Sequence, residues 1–241
     1  MASIPLVSKT DIFYPESDGK PMAETEIHIN ILVYLREALI DFFRNLPNAY
    51  VGANMLLYYE EGNPAASVAP DVFVIKGISK DVRRTFKTWI EGKAPDVIFE
   101  LTSRSTWIED LGNKRVLYER LGVHEYFIFD PLEEELDPPL QGFRLKNGEY
   151  QRIAPEASGK LHSEELGLDV GIIEGELRLA DPVSGRVLPS PLEGFETARE
   201  ALEAAQEAEV RAEMERQARR AVEDENARLR AELDKLRGKQ E

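Results

Sequence analysis

The chain has 241 residues, 42% of them hydrophobic, and a formal net charge of −15. That is enough apolar material for one sizeable core, while the acidic balance argues against a broad basic surface that grips nucleic acid without specificity. No cysteine is present, which excludes disulfides, thiolate zinc sites and cysteine nucleophiles and fits a reducing cytoplasm. The acidic balance leaves room for a local basic groove, or for a site whose carboxylates take a divalent cation. No apolar run reaches the length of a membrane span. The stretch Met1 to Tyr14 lacks the basic start and apolar run of a secretory signal. A cytoplasmic protein is therefore expected.

In chain order, a turn at Ser17-Asp18-Gly19-Lys20-Pro21 precedes a predicted helix from about Glu24 to Arg44. Ile27, Ile31, Leu35, Ala38 and Phe42 recur at three- and four-residue steps and predict its buried stripe. Short strand-like runs follow at Tyr50-Val51, Met55 to Tyr59, Val72 to Ile75, Val97 to Leu101 and Tyr126 to Phe129. Several are apolar on both faces, as strands covered on both sides require. A helix is predicted between the last two, from about Leu111 to Leu121. Strand, helix, strand predicts a right-handed crossover within a mixed sheet. From Pro131 to Pro189 the pattern reads as hairpins, most clearly Phe143-Arg144-Leu145 and Tyr150 to Ile153 around Asn147-Gly148. Composition changes near Pro189-Ser190-Pro191. Beyond it the chain is mostly Ala, Glu, Arg and Leu, a long charged helix. Two domains are expected, 1–192 and 193–241.

Two Pro-Asp pairs, Pro70-Asp71 and Pro95-Asp96, each open an apolar strand. Alone, such a pair marks a turn. Glu100 is harder to explain that way, because a carboxylate inside Val97-Ile98-Phe99-Glu100-Leu101 is costly to bury unless it is paired or binds a cation. Asp96 and Glu100 lie roughly 13 Å apart along one strand, too far to chelate one ion. Asp71 and Glu100 lie on different strands and can converge on one divalent metal, which prefers oxygen ligands. Lys114 falls on the helical stripe of Leu111, Leu117, Tyr118 and Leu121 and points towards the sheet, where an ammonium can stabilise phosphate charge. Glu24 falls on the buried stripe of the first helix; it could approach the same site or simply favour the helix N-terminus. Ser103, Ser105 and Thr106 could donate to a phosphate, but capping the next helix is the expected role. Asp96 is expected to be a strand-entry residue, and His28 and His124 to carry no catalytic duty.

Several stretches together resemble one family: Tyr14-Pro15-Glu16-Ser17-Asp18-Gly19-Lys20-Pro21-Met22-Ala23-Glu24-Thr25, Pro70-Asp71-Val72, Pro95 to Ser103, Asp110-Leu111-Gly112-Asn113-Lys114 with Tyr118, and Leu121-Gly122-Val123-His124-Glu125-Tyr126 through Pro131. In order and spacing they are similar to the Uma-two proteins, restriction-endonuclease-like domains of the PD-(D/E)XK superfamily. The resemblance covers most of residues 12 to 190. It implies a mixed α/β (α+β) sheet core flanked by helices, with Asp71 as metal-binding aspartate and Glu100 as the acid of the (D/E)XK strand. The lysine usual two residues after that acid falls at Thr102, and Lys114 is the expected replacement.

The resulting expectation is a Mg²⁺- or Mn²⁺-dependent endonuclease acting on DNA, with Asp71 and Glu100 holding the metal, Lys114 positioning water or phosphate and Glu24 assisting. The rival is a nuclease-like scaffold without activity that serves as a dimeric interaction module; Thr102 and the acidic charge favour it, and the surviving acids and lysine oppose it. Glycoside hydrolysis by paired carboxylates ranks last, for want of an aromatic-rich sugar-binding pattern. In the tail, Val222, Leu229 and Leu236 fall at d positions and Asn226 and Leu233 at a positions, predicting a coiled coil that makes a homodimer. The pattern weakens upstream, where Val210, Met214, Ala218 and Val222 run in fours.

Overall fold

The computed structural model describes residues 12–17, 19 and 25–237, with side chains to residue 232. The chain forms two compact units, one ending at Ser190 and one beginning at Pro191.

In the first unit, Thr25 caps helix α1 (Glu26–Phe42) by accepting the His28 N–H at 3.3 Å. Strands β1 (Ala49–Ala53), β2 (Leu57–Tyr58), β3 (Ser67–Val68), β4 (Val72–Lys76) and β5 (Phe86–Lys87) follow, then a short helix α2 (Thr88–Glu91) and β6 (Val97–Leu101). A continuous helical stretch comes next: α3 (Trp107–Glu109), a π-helical turn (Asp110–Lys114) and α4 (Arg115–Leu121). Then come β7 (Glu125–Phe129), β8 (Leu140–Lys146), β9 (Glu149–Arg152), β10 (Leu161–Ser163), β11 (Leu168–Ile173) and β12 (Glu176–Ala180).

The main sheet has the order β1-β4-β6-β7-β8-β9. It is a mixed sheet: β6 and β7 run parallel and its other neighbours antiparallel. That parallel pair is the one the strand–helix–strand pattern predicts, because parallel neighbours need a crossover. Small sheets β3-β2-β5 and β10-β11-β12 complete the unit. The side-chain period of two sorts the central strands. Val72, Val74, Val97, Phe99 and Phe127 pack under α1 and the β10–β12 sheet. Phe73, Ile75, Ile98, Tyr126 and Ile128 form the opposite face with Tyr118, Leu117 and Leu121 of α4. Glu100 shares the parity of Ile98 and so faces α4.

The predicted stripe of α1 needs correction. Leu35 and Ala38 are buried and Ile31 is partly so, but Ile27 and Phe42 are exposed; the buried face also takes His28, Tyr34 and Leu39. Ile29, Val33 and Ile40 are exposed as well, so α1 is apolar on two sides and periodicity alone does not choose between them. The predicted strand Met55 to Tyr59 shrinks to Leu57–Tyr58, and the crossover helix begins four residues earlier than Leu111. The hairpin β8–β9 turns at Asn147 (φ 55°) and Gly148 (φ 87°), both in the left-handed region that an Asn-Gly turn supplies. The second unit is the helix α5 (Pro191–Arg237). Among the described residues no helix is long and apolar enough to cross a membrane.

Candidate active site

The register of β4 against β6 builds the site. Val72 pairs with Phe99 in this antiparallel ladder, and one further step sets Asp71 opposite Glu100 on the α4 face. Asp71 sits just before β4, where its Oδ2 accepts the Leu101 N–H at 2.7 Å and fastens it to the end of β6. His28 of α1 stands with Nε2 3.3 Å from Asp71 Oδ1.

Glu100 is 1% exposed and held from the crossover helix. The Tyr118 hydroxyl donates to its Oε1 at 2.6 Å, and the Lys114 ammonium lies 3.0 Å from Oε2. Lys114 also lies 2.8 Å from Asp110 Oδ1. That oxygen is buried, and the ammonium is its charged contact. Burial pushes the Glu100 carboxyl up to about 8; Lys114 opposes this, Asp71 and Asp110 add to it, and the Tyr118 hydrogen bond opposes it more weakly. Burial alone would lower the Lys114 pKa, but Glu100 and Asp110 together raise it above the ordinary lysine value. The Tyr118 hydroxyl is raised by burial and by Glu100, and so stays a donor.

Asp71, Asp110 and Lys114 line a cleft of about 910 Å³ with Thr102, Arg104 and Asp130. Glu134 and Glu135 add negative charge to its wall. Thr102, 2% exposed, carries no charge where a lysine is usual. Ser103 and Thr106 bond within their own loop: Thr106 Oγ1 accepts the Ser103 N–H at 3.1 Å, and no side-chain cap bond forms at the start of α3. The expected capping role is therefore not the one these hydroxyls adopt.

The residues suit a hard divalent cation. The acceptors on Asp71, Glu100 and Asp110 are carboxylate oxygens, the type such a cation prefers, and a bound cation would favour the ionised form of Glu100 that burial opposes. Among the described residues, acidic and histidine ligand atoms also gather within 4.8 Å of one another at Asp96–His124–Glu165 and at Glu156–His162–Asp169. Lys93 and Lys76 already contact Asp96 and Glu165, so a cation in the first group would meet two ammonium groups; in the second, His162 already pairs with Asp169.

A family model described as "Putative restriction endonuclease", Uma2, matches residues 8–180. The chain belongs to the Uma2 family. By that membership it falls among restriction-endonuclease-type nucleases. Among solved structures, the chain is similar to one described as a "putative nuclease belonging to DUF820" from Anabaena variabilis ATCC 29413, with 16% identity, a TM-score of 0.42, and coverage of 58% of this chain and 76% of that one. No curated protein matches.

In this Uma2 chain, Asp71, Glu100 and Lys114 come together at one end of the sheet. Glu24 lies outside the described residues. Asp96 sits at the other end of β6, buried, taking the Lys76 N–H at 2.6 Å. Three neighbours of the site received no role from the sequence: Asp110 and Tyr118 enter only as parts of the family-like motif around Lys114, Tyr118 also as part of an apolar stripe, and His28 as a residue without catalytic duty.

Proposed function

We propose that the chain is a divalent-metal-dependent endonuclease that hydrolyses DNA phosphodiester bonds at the Asp71–Glu100–Lys114 cleft. The observation that carries this reading is the 3.0 Å contact of the Lys114 ammonium with the buried Glu100 carboxylate. It supports the reading in which the helix-borne lysine supplies the charge that Thr102 lacks.

Asp71 and Glu100 would hold Mg²⁺ or Mn²⁺, which when bound supplies Lewis-acid polarisation of the phosphate and a water of lowered pKa. The chain's own groups do the rest. The Leu101 N–H and the Tyr118 hydroxyl fix the two carboxylates before substrate arrives. Lys114 orients the phosphate or the attacking water and offsets charge that develops on the phosphoryl oxygens. His28, beside Asp71, holds that side chain from the α1 side. Arg104, on the cleft wall, offers a positive charge to a second phosphate. Glu24 keeps its proposed assisting role on a stretch outside the described residues. The absence of cysteine supports a cytoplasmic setting. The a and d positions of α5 support a homodimer that presents two such sites.

The rival, an inactive dimeric scaffold, draws on Asp130, Glu134 and Glu135 in the cleft wall, since acidic walls repel a DNA backbone. Supercoiled plasmid separates the two. Conversion to nicked and linear forms with Mg²⁺ or Mn²⁺, and none with EDTA, supports the nuclease. A cleavage-free chain that binds a metal or not with equal indifference supports the scaffold.

A further inference from the structure

We propose that Asp110 is a positioning residue for Lys114, and that the π-helical turn joining the two is the device that aims the lysine at Glu100. What Lys114 does chemically rests on the nuclease reading; where it is held does not.

The site lysine is carried by the crossover helix, not by the strand of Glu100. A lysine side chain has a flexible four-carbon stem with a point charge at its end, so one ionic contact leaves it several conformers. Here it has two contacts, to Glu100 at 3.0 Å and to Asp110 at 2.8 Å. Asp110 is 1% exposed. Burying that carboxylate is costly unless a cation compensates, and the nearby ammonium does so.

The helix geometry explains how the contacts coincide. Asp110, Lys114 and Tyr118 follow one another at intervals of four. In an α-helix each such step runs about 40° past a full turn, so the three would fan over about 80°. A π turn winds more slowly, with bonds to the fifth residue, and takes back part of that drift between Asp110 and Lys114. Lys114 and Tyr118 then reach the two oxygens of Glu100 while Asp110 reaches Lys114. The Tyr126 hydroxyl donates to the Asp110 carbonyl at 3.0 Å, which ties the turn to the sheet.

The test uses the full chain and two readouts. In plasmid cleavage with Mn²⁺, Asp110→Asn is expected to lower kcat about 10- to 100-fold, the range seen when the partner of a site residue is lost, with little change in KM. Asp110→Glu, which keeps the carboxylate, should recover much of the rate. In a Lys114→Met background the Asp110→Asn penalty should vanish, because Asp110 acts through Lys114. No penalty in the wild-type background, or an equal penalty in both, would overturn the proposal. The second readout needs no activity: acetic anhydride labelling of Lys114, followed by mass spectrometry. Labelling should be about tenfold faster in Asp110→Asn than in wild type, because losing one of its two charged contacts opens the buried side chain to the reagent more often; equal rates overturn the proposal. Asp110→Ser replaces Asp110→Asn if circular dichroism shows the latter unfolded. If the wild-type chain cleaves nothing, the nuclease reading fails and the labelling rates alone decide where Asp110 holds the lysine.

Discussion

Glu100 and Asp110 are each 1% exposed and both contact Lys114. Gln is close in shape to the neutral acid that Glu100 mostly is at pH 7 and keeps an acceptor for Tyr118, so in metal-free buffer Glu100→Gln should be at least as stable as wild type. With its carboxyl raised to about 8, Glu100 is mostly neutral at pH 7, so Lys114→Met strands chiefly the buried Asp110 carboxylate and should lose about 3–5 kcal/mol. Urea unfolding at pH 7 checks both, and a Lys114→Met midpoint equal to wild type would remove the charge argument. A second residue-scale prediction concerns Glu165. Burial would raise its carboxyl, but the Lys76 hydrogen bond and charge, then His124, hold it below the usual value. A depressed folded-state pKa stabilises above the unfolded value and loses that contribution as pH falls through the folded one. The stability gap between wild type and Glu165→Gln should therefore be present at pH 7 and shrink once the pH drops below about 4; a gap of constant size would contradict the assignment. Glu100 was legible in the sequence because a carboxylate in an apolar strand is anomalous on its face, and Asp71 because it opens the adjoining strand. Asp110 and Tyr118 stand in the motif around Lys114, but their contacts with Lys114 and Glu100 are not legible, because they depend on the winding of a helix that residue spacing does not report.

At the scale of elements, the central strands, the crossover and the Asn-Gly hairpin follow from apolar runs and turn chemistry. The face of α1 did not follow. Its two apolar sides are told apart only by what packs on them, here the Val72–Val74–Phe99 face of the sheet. Close packing also marks β1 against β4. Gly52 pairs with Phe73, and a Cβ built on Gly52 would overlap the Phe73 ring. Gly52→Ala should thus cost about 1–3 kcal/mol through displacement of that ring. The result would show as a lowered urea midpoint with unchanged m-value, and an unaltered midpoint would mean the ring moves aside freely.

At the scale of the whole molecule, the tail and the nuclease unit make separate claims. The a and d seam from Val222 to Leu236 lies within α5, where Val222 and Leu229 are exposed on the single chain. A solitary helix with such a seam is marginal in water, and pairing buries it around Asn226. Light scattering at micromolar concentration should give a dimer for the full chain and a monomer for a form ending at Ser190; a full chain that is monomeric contradicts the coiled coil. A dimeric short form would place the interface within the nuclease unit. The central claim, that Asp71, Glu100 and Lys114 form a metal-dependent phosphodiesterase site, is tested most directly by plasmid cleavage. Wild type, Asp71→Asn and Glu100→Gln would be compared side by side with Mn²⁺, after circular dichroism has shown all three folded. The account predicts metal-dependent conversion of supercoiled plasmid by wild type and none by either variant, whereas cleavage by both variants at the wild-type rate would contradict it.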